Sequence, residues 1–231
     1  MLRAIIFDFN GIILNDEPIH FRAMREAVAG LAITLTEEDY WNKYLPLDDW
    51  QCLAAICSDN RVTLSDEERL LTLARKSQQY HEFLKGQYPL FPGAAELVLT
   101  AAEHYPLALA SGARRKEIEC ALRTTNLIHC FRVVVAAEDF TRGKPHPESF
   151  LLALARLNER LDGSAARIEP EECLVIEDSV GGVRGARAAG MKCLAVSNSY
   201  PRERLLEANL VVSSLEEIAL DSLATIFKGP S

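Results

Sequence analysis

Short apolar runs recur along this chain, and most of them stop at a polar residue or a glycine. Each run is only a few residues long, which is too short to cross a membrane. Runs of this length with polar or glycine boundaries are typical of strands that are buried on both faces of a parallel sheet. The pattern predicts strands at Ala4–Phe7, Pro106–Ala110, Val133–Val135, Cys173–Ile176, Cys193–Val196 and Leu210–Val212.

Helical patterns separate these runs. Alternating strands and helices form right-handed βαβ units, so the sequence predicts an α/β fold with a doubly wound parallel sheet. Gly190 supplies a stop signal for the last of these helices. The predicted helices are Gly93–Glu103, Ala113–Arg123, Pro147–Leu157 and Val180–Ala189.

The segment from residue 17 to residue 88 breaks this alternation because it contains no convincing strand pattern. Thr36 and Ser65 each precede an acidic first turn, which is the pattern of a capped helix start. The segment predicts helices at Ile19–Ala29, Glu37–Lys43, Asp49–Cys57 and Asp66–Lys85. We therefore expect a core domain of residues 1–16 and 89–231, and an inserted α-helical cap subdomain of residues 17–88.

Composition narrows the class of protein. The chain has 231 residues, of which 48% are hydrophobic, and a formal net charge of −8. An acidic chain argues against nucleic acid or an anionic membrane as the main partner, since both attract basic surfaces. Six scattered cysteines without a CxxC pair predict reduced thiols. Without a signal-peptide pattern, we expect a cytoplasmic protein that is a monomer or a weak homo-oligomer.

Polar side chains stand at or beyond the carboxyl ends of several predicted strands, where an open parallel sheet binds its ligands. Asp8 follows the first strand, Ser111 the second, and Glu177 with Asp178 the fourth, while Lys144 lies beyond the third. A carboxylate nucleophile, a hydroxyl, an ammonium group and an acidic pair form a coherent set for phosphoryl transfer. The acidic pair also offers the oxygen ligands that a hard divalent cation prefers.

Each of these residues alone also has an ordinary structural explanation. Asp8 could be a turn residue, Ser111 could cap the following helix, and residues 143–145 could form an exposed turn. The acidic pair could favour a helix start through the helix dipole. Their occurrence in order, each at a strand end, favours the functional interpretation.

Four segments resemble the motifs of the haloacid dehalogenase superfamily, and specifically its β-phosphoglucomutase-like phosphatases with a helical cap. The resemblance runs through nearly the whole chain, and the fourth motif is the most specific. The four segments are Asp8-Phe9-Asn10-Gly11, Ala110-Ser111-Gly112, Gly143-Lys144-Pro145 and Glu177-Asp178-Ser179.

The resemblance implies a role for each matched residue. Asp8 is implied as the nucleophile, with Asn10 and Lys144 beside it at the catalytic centre. The inserted helices are implied to be a mobile cap that closes over a small phosphorylated metabolite. The implied phosphate ligands are Ser111, Gly112 and Lys144, and the implied magnesium ligands are Asp8, Asn10, Glu177 and Asp178.

Asn10 departs from the family pattern, which has an aspartate at this position. In the family that aspartate protonates the leaving oxygen and later activates water, and an amide does neither. Such acid–base help is worth about 10²–10⁴-fold in rate. His20, on the expected cap hinge, is one candidate substitute, and Asp16 and Glu17 are others. For His20, packing or hydrogen bonding at the hinge is the preferred interpretation.

These observations predict magnesium-dependent hydrolysis of a small phosphate monoester through an aspartyl-phosphate on Asp8, slowed by Asn10. Two alternatives stay open: a phosphometabolite-binding protein with weak catalysis, and a β-phosphoglucomutase-like phosphotransferase. Haloacid dehalogenation is less favoured because it does not need the acidic pair. Phosphonate hydrolysis is less favoured because nothing around Lys43, the cap lysine available for a Schiff base, marks it as activated.

Overall fold

The computed structural model describes residues 1–45, 47–161 and 166–227. The chain divides into two compact units, Met1–Asn15 with Tyr88–Ser231, and Asp16–Gln87. We call them the α/β unit and the helical unit. The predicted domain ranges also include residues 46, 162–165 and 228–231, which lie outside the described residues.

The α/β unit is built on one parallel six-stranded sheet with the strand order β3-β2-β1-β4-β5-β6. The prediction of a doubly wound parallel sheet is therefore confirmed, and every predicted strand is present with its bounds shifted by at most two residues. The strands are β1 (Ala4–Phe7), β2 (Leu107–Ala110), β3 (Phe131–Val135), β4 (Cys173–Glu177), β5 (Lys192–Val196) and β6 (Leu210–Val212).

Helices cover both faces of this sheet. The side chains of β1 alternate between two hydrophobic clusters: Ile5 and Phe7 join one, and Ala4 and Ile6 join the other. All four are fully buried, which explains why the strand is an unbroken apolar run. The helices are α5 (Ala94–His104), α6 (Arg115–Thr124) and α9 (Leu220–Leu223) on the first face, and α7 (Glu148–Glu159) and α8 (Val180–Ala188) on the second.

The helical unit packs around a core of its own. Ser65 and Glu68 form a reciprocal capping box at the start of its longest helix, as the sequence predicts. The predicted helix at Glu37–Lys43 is instead a single turn that continues as a π-helix, Tyr40–Tyr44. The α-helices of this unit are α1 (Glu17–Ala29), α2 (Glu37–Asp39), α3 (Asp49–Asp59) and α4 (Asp66–Leu84).

Two expectations from the sequence concern membrane-spanning segments and the state of the cysteines. Within the described ranges, no helix combines the length and the apolar character needed to cross a membrane. The six cysteines are all free thiols; Cys120 is exposed and the other five are buried.

Arginine side chains close both edges of the sheet. An edge strand presents carbonyl groups that have no strand partner and can pair with another chain. The guanidinium group of Arg115 donates to the Val134 carbonyl of β3 at 3.2 Å, and that of Arg160 donates to the Arg132 carbonyl. Arg202 makes the equivalent bond to a carbonyl of β6 at 2.5 Å.

Removal of both β3 arginines is expected to promote self-association through β3. The double variant Arg115→Ala with Arg160→Ala frees two outward-facing carbonyls for pairing with a second copy. In sedimentation velocity we expect a dimer or larger species that the native protein lacks at the same concentration. The control Arg123→Ala with Arg184→Ala removes the same charge from exposed positions. Equal association of the two double variants would contradict this role.

Candidate active site

Asp8 is the first residue after β1, at the point where the strand order reverses. Its backbone N–H donates to the Ile176 carbonyl of β4 at 2.9 Å, which extends the β1–β4 pairing by one residue. This register places Asp8 beside Glu177 and Asp178 at the carboxyl end of β4. In a doubly wound sheet this switch point is where ligands bind.

Four of the predicted site residues come together here. Carboxylate oxygens of Asp8, Glu177 and Asp178 all lie within 4.8 Å of one another. The Nζ atom of Lys144 is 2.6 Å from Asp8 Oδ1 and 2.7 Å from Glu177 Oε1. We call these four residues the acidic cluster. Residues 143–145 do form a turn with exposed positions, but the Lys144 ammonium group bridges two buried carboxylates, so an exposed turn alone does not describe this residue.

The start of α8 holds the Glu177 side chain in one orientation. Its Oε2 atom accepts hydrogen bonds from the backbone N–H groups of Asp178 and Ser179, both at 2.7 Å, and from the Ser179 hydroxyl at 3.0 Å. Gly182 leaves room for this arrangement, because a Cβ at that position would lie 1.7 Å from Glu177. With Oε2 occupied, Oε1 is the atom left to face Lys144.

Asp178 is fixed by residues that sequence reasoning did not select. The Ser199 hydroxyl donates to Asp178 Oδ2, and the Asn198 amide donates to the Gly11 carbonyl at 2.7 Å. Gly11 has φ +81°, and a Cβ there would lie 2.0 Å from Asp178 Oδ2. Residues 197–199 directly follow β5, so the rule that selected the other strand ends would also have found them.

Asn10 lies in the turn that follows Asp8 and is partly exposed. Its Oδ1 atom is buried without a hydrogen-bond partner among the described residues. A buried polar atom without a partner is costly, and native proteins rarely keep one without a ligand or another role. The side-chain oxygen of Asn10 is therefore free to bind a ligand that the described residues do not supply.

Ser111 and Gly112 stand at the carboxyl end of β2, next to β1. The Ser111 side chain is buried, and its hydroxyl accepts from the Ala113 N–H at 3.1 Å. The helix-cap explanation of Ser111 is wrong, because α6 begins at Arg115 and its N-cap is Arg114. Within the described ranges, no hydrogen bond joins Ser111 to the acidic cluster. A Cβ at Gly112 would meet no atom within 4 Å, so open space borders this turn.

Burial and crowding set the charges of the cluster. Burial raises the pKa of Asp8 to about 6; Lys144 opposes this rise and Glu177 adds to it. Burial, and then the charges of Glu177 and Asp8, raise the pKa of Asp178 well above its usual value. Burial alone would lower the pKa of Lys144, but the two carboxylates raise it above its ordinary value. Lys144 is therefore an ammonium ion at neutral pH.

The donor set fits a hard divalent cation. If all three carboxyl groups were ionised, the one ammonium group would leave two negative charges in a buried place, and a bound cation would supply the counter-charge. Carboxylate and amide oxygens are the ligands that Mg²⁺ takes in proteins. The residues that would hold it are Asp8, Asp178, Glu177 and Asn10. Magnesium itself stays a prediction.

His20 belongs to a polar network inside the helical unit. Its Nδ1 atom accepts from the buried Lys76 ammonium group at 2.6 Å, because an ammonium group can only donate. Its Nε2 atom lies 3.3 Å from Asp16 Oδ2, which also accepts from the Tyr80 hydroxyl at 2.5 Å. Both oxygens of Asp49 accept from Lys76 at 2.8 Å. Whether His20 serves a hinge stays a prediction.

Replacement of Asp178 by asparagine is expected to stabilise the metal-free protein at neutral pH. Folding raises the pKa of the Asp178 carboxyl group. The contribution of Asp178 to the free energy of unfolding therefore falls as the pH rises above about 4, the pKa of this group in the unfolded chain. The uncharged amide avoids this loss. In a chelator at pH 7.5, the variant should melt a few degrees higher, and the difference should vanish near pH 4.

Magnesium provides the second readout for Asp178→Asn. Ligand that binds the folded state raises its melting temperature, so magnesium should stabilise the native protein and have little effect on the variant. Glu203→Gln makes the same charge change at an exposed position and should behave like the native protein. If the melting temperature in chelator rises no more in Asp178→Asn than in Glu203→Gln, the buried Asp178 carboxylate does not destabilise the metal-free protein.

A doubly wound sheet with a carboxylate and lysine cluster at its switch point is a Rossmann-like α/β architecture with a polar ligand site. The chain belongs to the haloacid dehalogenase-like hydrolase family, whose sequence profile matches residues 2–190. The predicted family membership is therefore confirmed. The prediction of an enzyme of the phosphoric monoester hydrolase class is also confirmed, because relatives in this family are named phosphatases.

Individual relatives show how far the similarity extends. Putative phosphatase YhcW of Bacillus subtilis is 31% identical over 217 residues, covering 90% of this chain and 89% of that protein. The phosphorylated carbohydrates phosphatase of Thermotoga maritima is 29% identical over 229 residues, covering 97% and 100%. A crystal structure of a putative β-phosphoglucomutase from Thermotoga maritima has a TM-score of 0.77 at 28% identity, covering 97% and 99%. The chain spans only 20% of a longer relative, Protein SUPPRESSOR OF QUENCHING 1 of Arabidopsis thaliana.

Proposed function

We propose that this protein hydrolyses a small phosphate monoester in a magnesium-dependent reaction, through an aspartyl-phosphate on Asp8. The observation that carries the proposal is the convergence of Asp8, Lys144, Glu177 and Asp178 at the switch point of the sheet. A buried nucleophile, a fixed positive charge and a set of oxygen ligands are the parts that phosphoryl transfer needs.

Asp8 forms the new bond to phosphorus while the bond from phosphorus to the leaving oxygen breaks. Lys144 holds positive charge 2.6 Å from the attacking carboxylate and so favours the approach of an anionic phosphate. Asp8, Asn10, Glu177 and Asp178 would hold magnesium, which would supply further positive charge to offset the repulsion between carboxylate and phosphate. The Ser111 hydroxyl and the open turn at Gly112 receive the remaining phosphoryl oxygens. Water then hydrolyses the aspartyl-phosphate.

Asn10 limits this reaction. An amide has no proton to give to the leaving oxygen and takes none from the attacking water at neutral pH. Acid–base help worth about 10²–10⁴-fold is therefore missing from both steps. Substrates whose leaving group departs as a stable anion lose least, and alkyl or sugar phosphates lose most.

The helical unit is proposed to be the cap that selects the substrate, and magnesium to be the metal. The names of relatives support a small phosphorylated metabolite: one is named a phosphorylated carbohydrates phosphatase and another a fructose-1-phosphate phosphatase. Both names are consistent with a monoester on a polar carbon skeleton.

Asn10 also favours a second candidate, a protein that binds a phosphorylated metabolite and turns it over very slowly. The buried, unpartnered Oδ1 atom of Asn10 can accept a hydrogen bond or bind a cation without taking part in proton transfer. In that case metal and ligand would bind with little release of phosphate.

One experiment separates the two candidates. Phosphate release is measured over a panel of aryl, alkyl and sugar phosphates, with magnesium and with a chelator. Hydrolysis predicts turnover of the aryl phosphate that stops in the chelator. Ligand binding with no release from any member of the panel, in the native protein and in Asn10→Asp alike, would refute the hydrolase proposal.

A further inference from the structure

The turn that follows β2 is held by the end of β3 and by the loop that follows it. We call residues 111–114 the β2 turn and residues 136–139 the β3 loop. Three backbone N–H groups make hydrogen bonds across this junction. They join the Ser111 N–H to the Val135 carbonyl, the Ala137 N–H to the Ala113 carbonyl and the Arg115 N–H to Glu138 Oε2, at 3.0, 3.0 and 3.1 Å. The position of the β2 turn therefore depends on the β3 loop.

The Asp139 carboxylate ties the β3 loop to two helices. Its Oδ2 atom accepts from the Ala136 N–H at 2.8 Å and from the guanidinium group of Arg115, the first residue of α6. Its Oδ1 atom accepts from the guanidinium group of Arg156 in α7 at 3.0 Å. The Asp139 side chain is 16% exposed, so these bonds are largely shielded from water. Hydrogen bonds between two charged groups are also stronger than those between neutral groups.

The charge of Asp139 keeps Arg115 in place. Burial opposes ionisation of this carboxyl group, but its hydrogen bonds with Arg156 and Ala136 and the charge of Arg115 lower its pKa. Asp139 is therefore a carboxylate at neutral pH. Without that charge, two guanidinium groups would share one place and repel each other. Glu119, at 3.8 Å from Arg115, is too distant for a hydrogen bond. Arg115 would then move, and it directly follows the β2 turn.

We propose that Asp139 is a positioning residue for phosphate binding: through Arg115, it holds the β2 turn in the conformation that receives the phosphoryl oxygens. The inference rests on the proposed function, because it takes the Ser111 hydroxyl and the turn at Gly112 to be the phosphate subsite. It goes further by assigning a role to a residue outside that subsite. As an anion, Asp139 repels phosphate, so its effect on binding passes through Arg115 and the turn.

Binding of inorganic phosphate, with magnesium present, measures this effect without requiring turnover. In isothermal titration calorimetry, Asp139→Asn should raise the dissociation constant about tenfold, the size of one hydrogen bond to a charged group. For an aryl phosphate, KM should rise in the same proportion and kcat should change less, because the β2 turn holds the phosphoryl group both before and during the reaction.

Glu207→Gln is the matched control. The Glu207 carboxylate is also shared by two arginines, Arg184 and Arg187, but its side chain is 43% exposed and lies away from the β2 turn in sequence. The control should bind phosphate like the native protein. An equal loss of affinity in Glu207→Gln and Asp139→Asn, or no loss in Asp139→Asn, would overturn the inference. If Asp139→Asn does not fold, Arg115→Gln breaks the same link and leaves Asp139 bonded to Arg156.

Ser111→Ala tests the route by which Asp139 acts. Two residues that act through the same contact have effects that do not add. Asp139→Asn should therefore weaken phosphate binding less when Ser111→Ala is already present than it does in the native protein. An equal further loss in both backgrounds would show that Asp139 acts by another route.

Other outcomes separate the inference from the proposed function. Phosphate binding that depends on Asp139, with no release of phosphate from any ester, would refute the hydrolase proposal and leave the inference standing. Hydrolysis of the aryl phosphate with the same KM in native protein and Asp139→Asn would do the reverse. If inorganic phosphate neither binds to the native protein nor inhibits its hydrolysis of the aryl phosphate, the β2 turn is not a phosphate subsite and the inference fails.

Discussion

Asn10→Asp is expected to raise the kcat for a sugar or alkyl phosphate by about 10²–10⁴-fold. The new carboxyl group would donate a proton to the leaving oxygen and then take a proton from the attacking water. It would stand in the turn that follows the nucleophile, where the Asn10 Oδ1 atom is already buried without a partner. Phosphate release at saturating substrate, with magnesium present, measures the effect.

The dependence on the leaving group makes this prediction specific. An aryl or acyl leaving group departs without a proton, so Asn10→Asp should speed the loading step only for alkyl phosphates. Asn42→Asp makes the same charge change at an exposed position of the helical unit and should leave kcat unchanged. If Asn10→Asp gives no gain for any alkyl phosphate, the amide is no handicap and another group performs the proton transfers.

Much of the fold follows from local sequence features. The strand Ala4–Phe7 has the predicted bounds, because a strand buried on both faces must be apolar at every position. Helix bounds are within a few residues of the prediction. The π-helix at Tyr40–Tyr44 was not predicted, because its pattern of buried positions resembles that of an α-helix over so few residues.

Part of the site was predictable from one rule, namely that an open parallel sheet binds its ligands at the carboxyl ends of its strands. The rule selects Asp8, Ser111 and the acidic pair, because each directly follows a strand. It does not reveal that Lys144 bridges Asp8 and Glu177, since that contact joins residues 136 and 33 positions apart. It would have selected Ser199 had the residues after β5 been examined in the same way.

The network around His20 could not be predicted from sequence. Lys76 is 56 residues away, and a lysine on a polar helix face is expected to be exposed. In the structure Lys76 is 2% exposed, and its charge is balanced by Asp49. The packing of α1 and α3 against α4 brings these groups together, and such packing depends on the whole unit rather than on a local pattern.

Asp8→Asn, introduced into the Asn10→Asp variant, is expected to lower kcat by about 10⁴-fold or more for every phosphate ester, as loss of a nucleophile does in other enzymes. The amide cannot attack phosphorus, so neither a good leaving group nor a restored base compensates. The variant should remain folded, because folding raises the pKa of Asp8 to about 6 and an uncharged side chain avoids that cost of burial. Its melting temperature in chelator should therefore equal or exceed that of Asn10→Asp. Residual turnover above one hundredth of the Asn10→Asp rate, in a folded variant, would show that Asp8 is not the nucleophile.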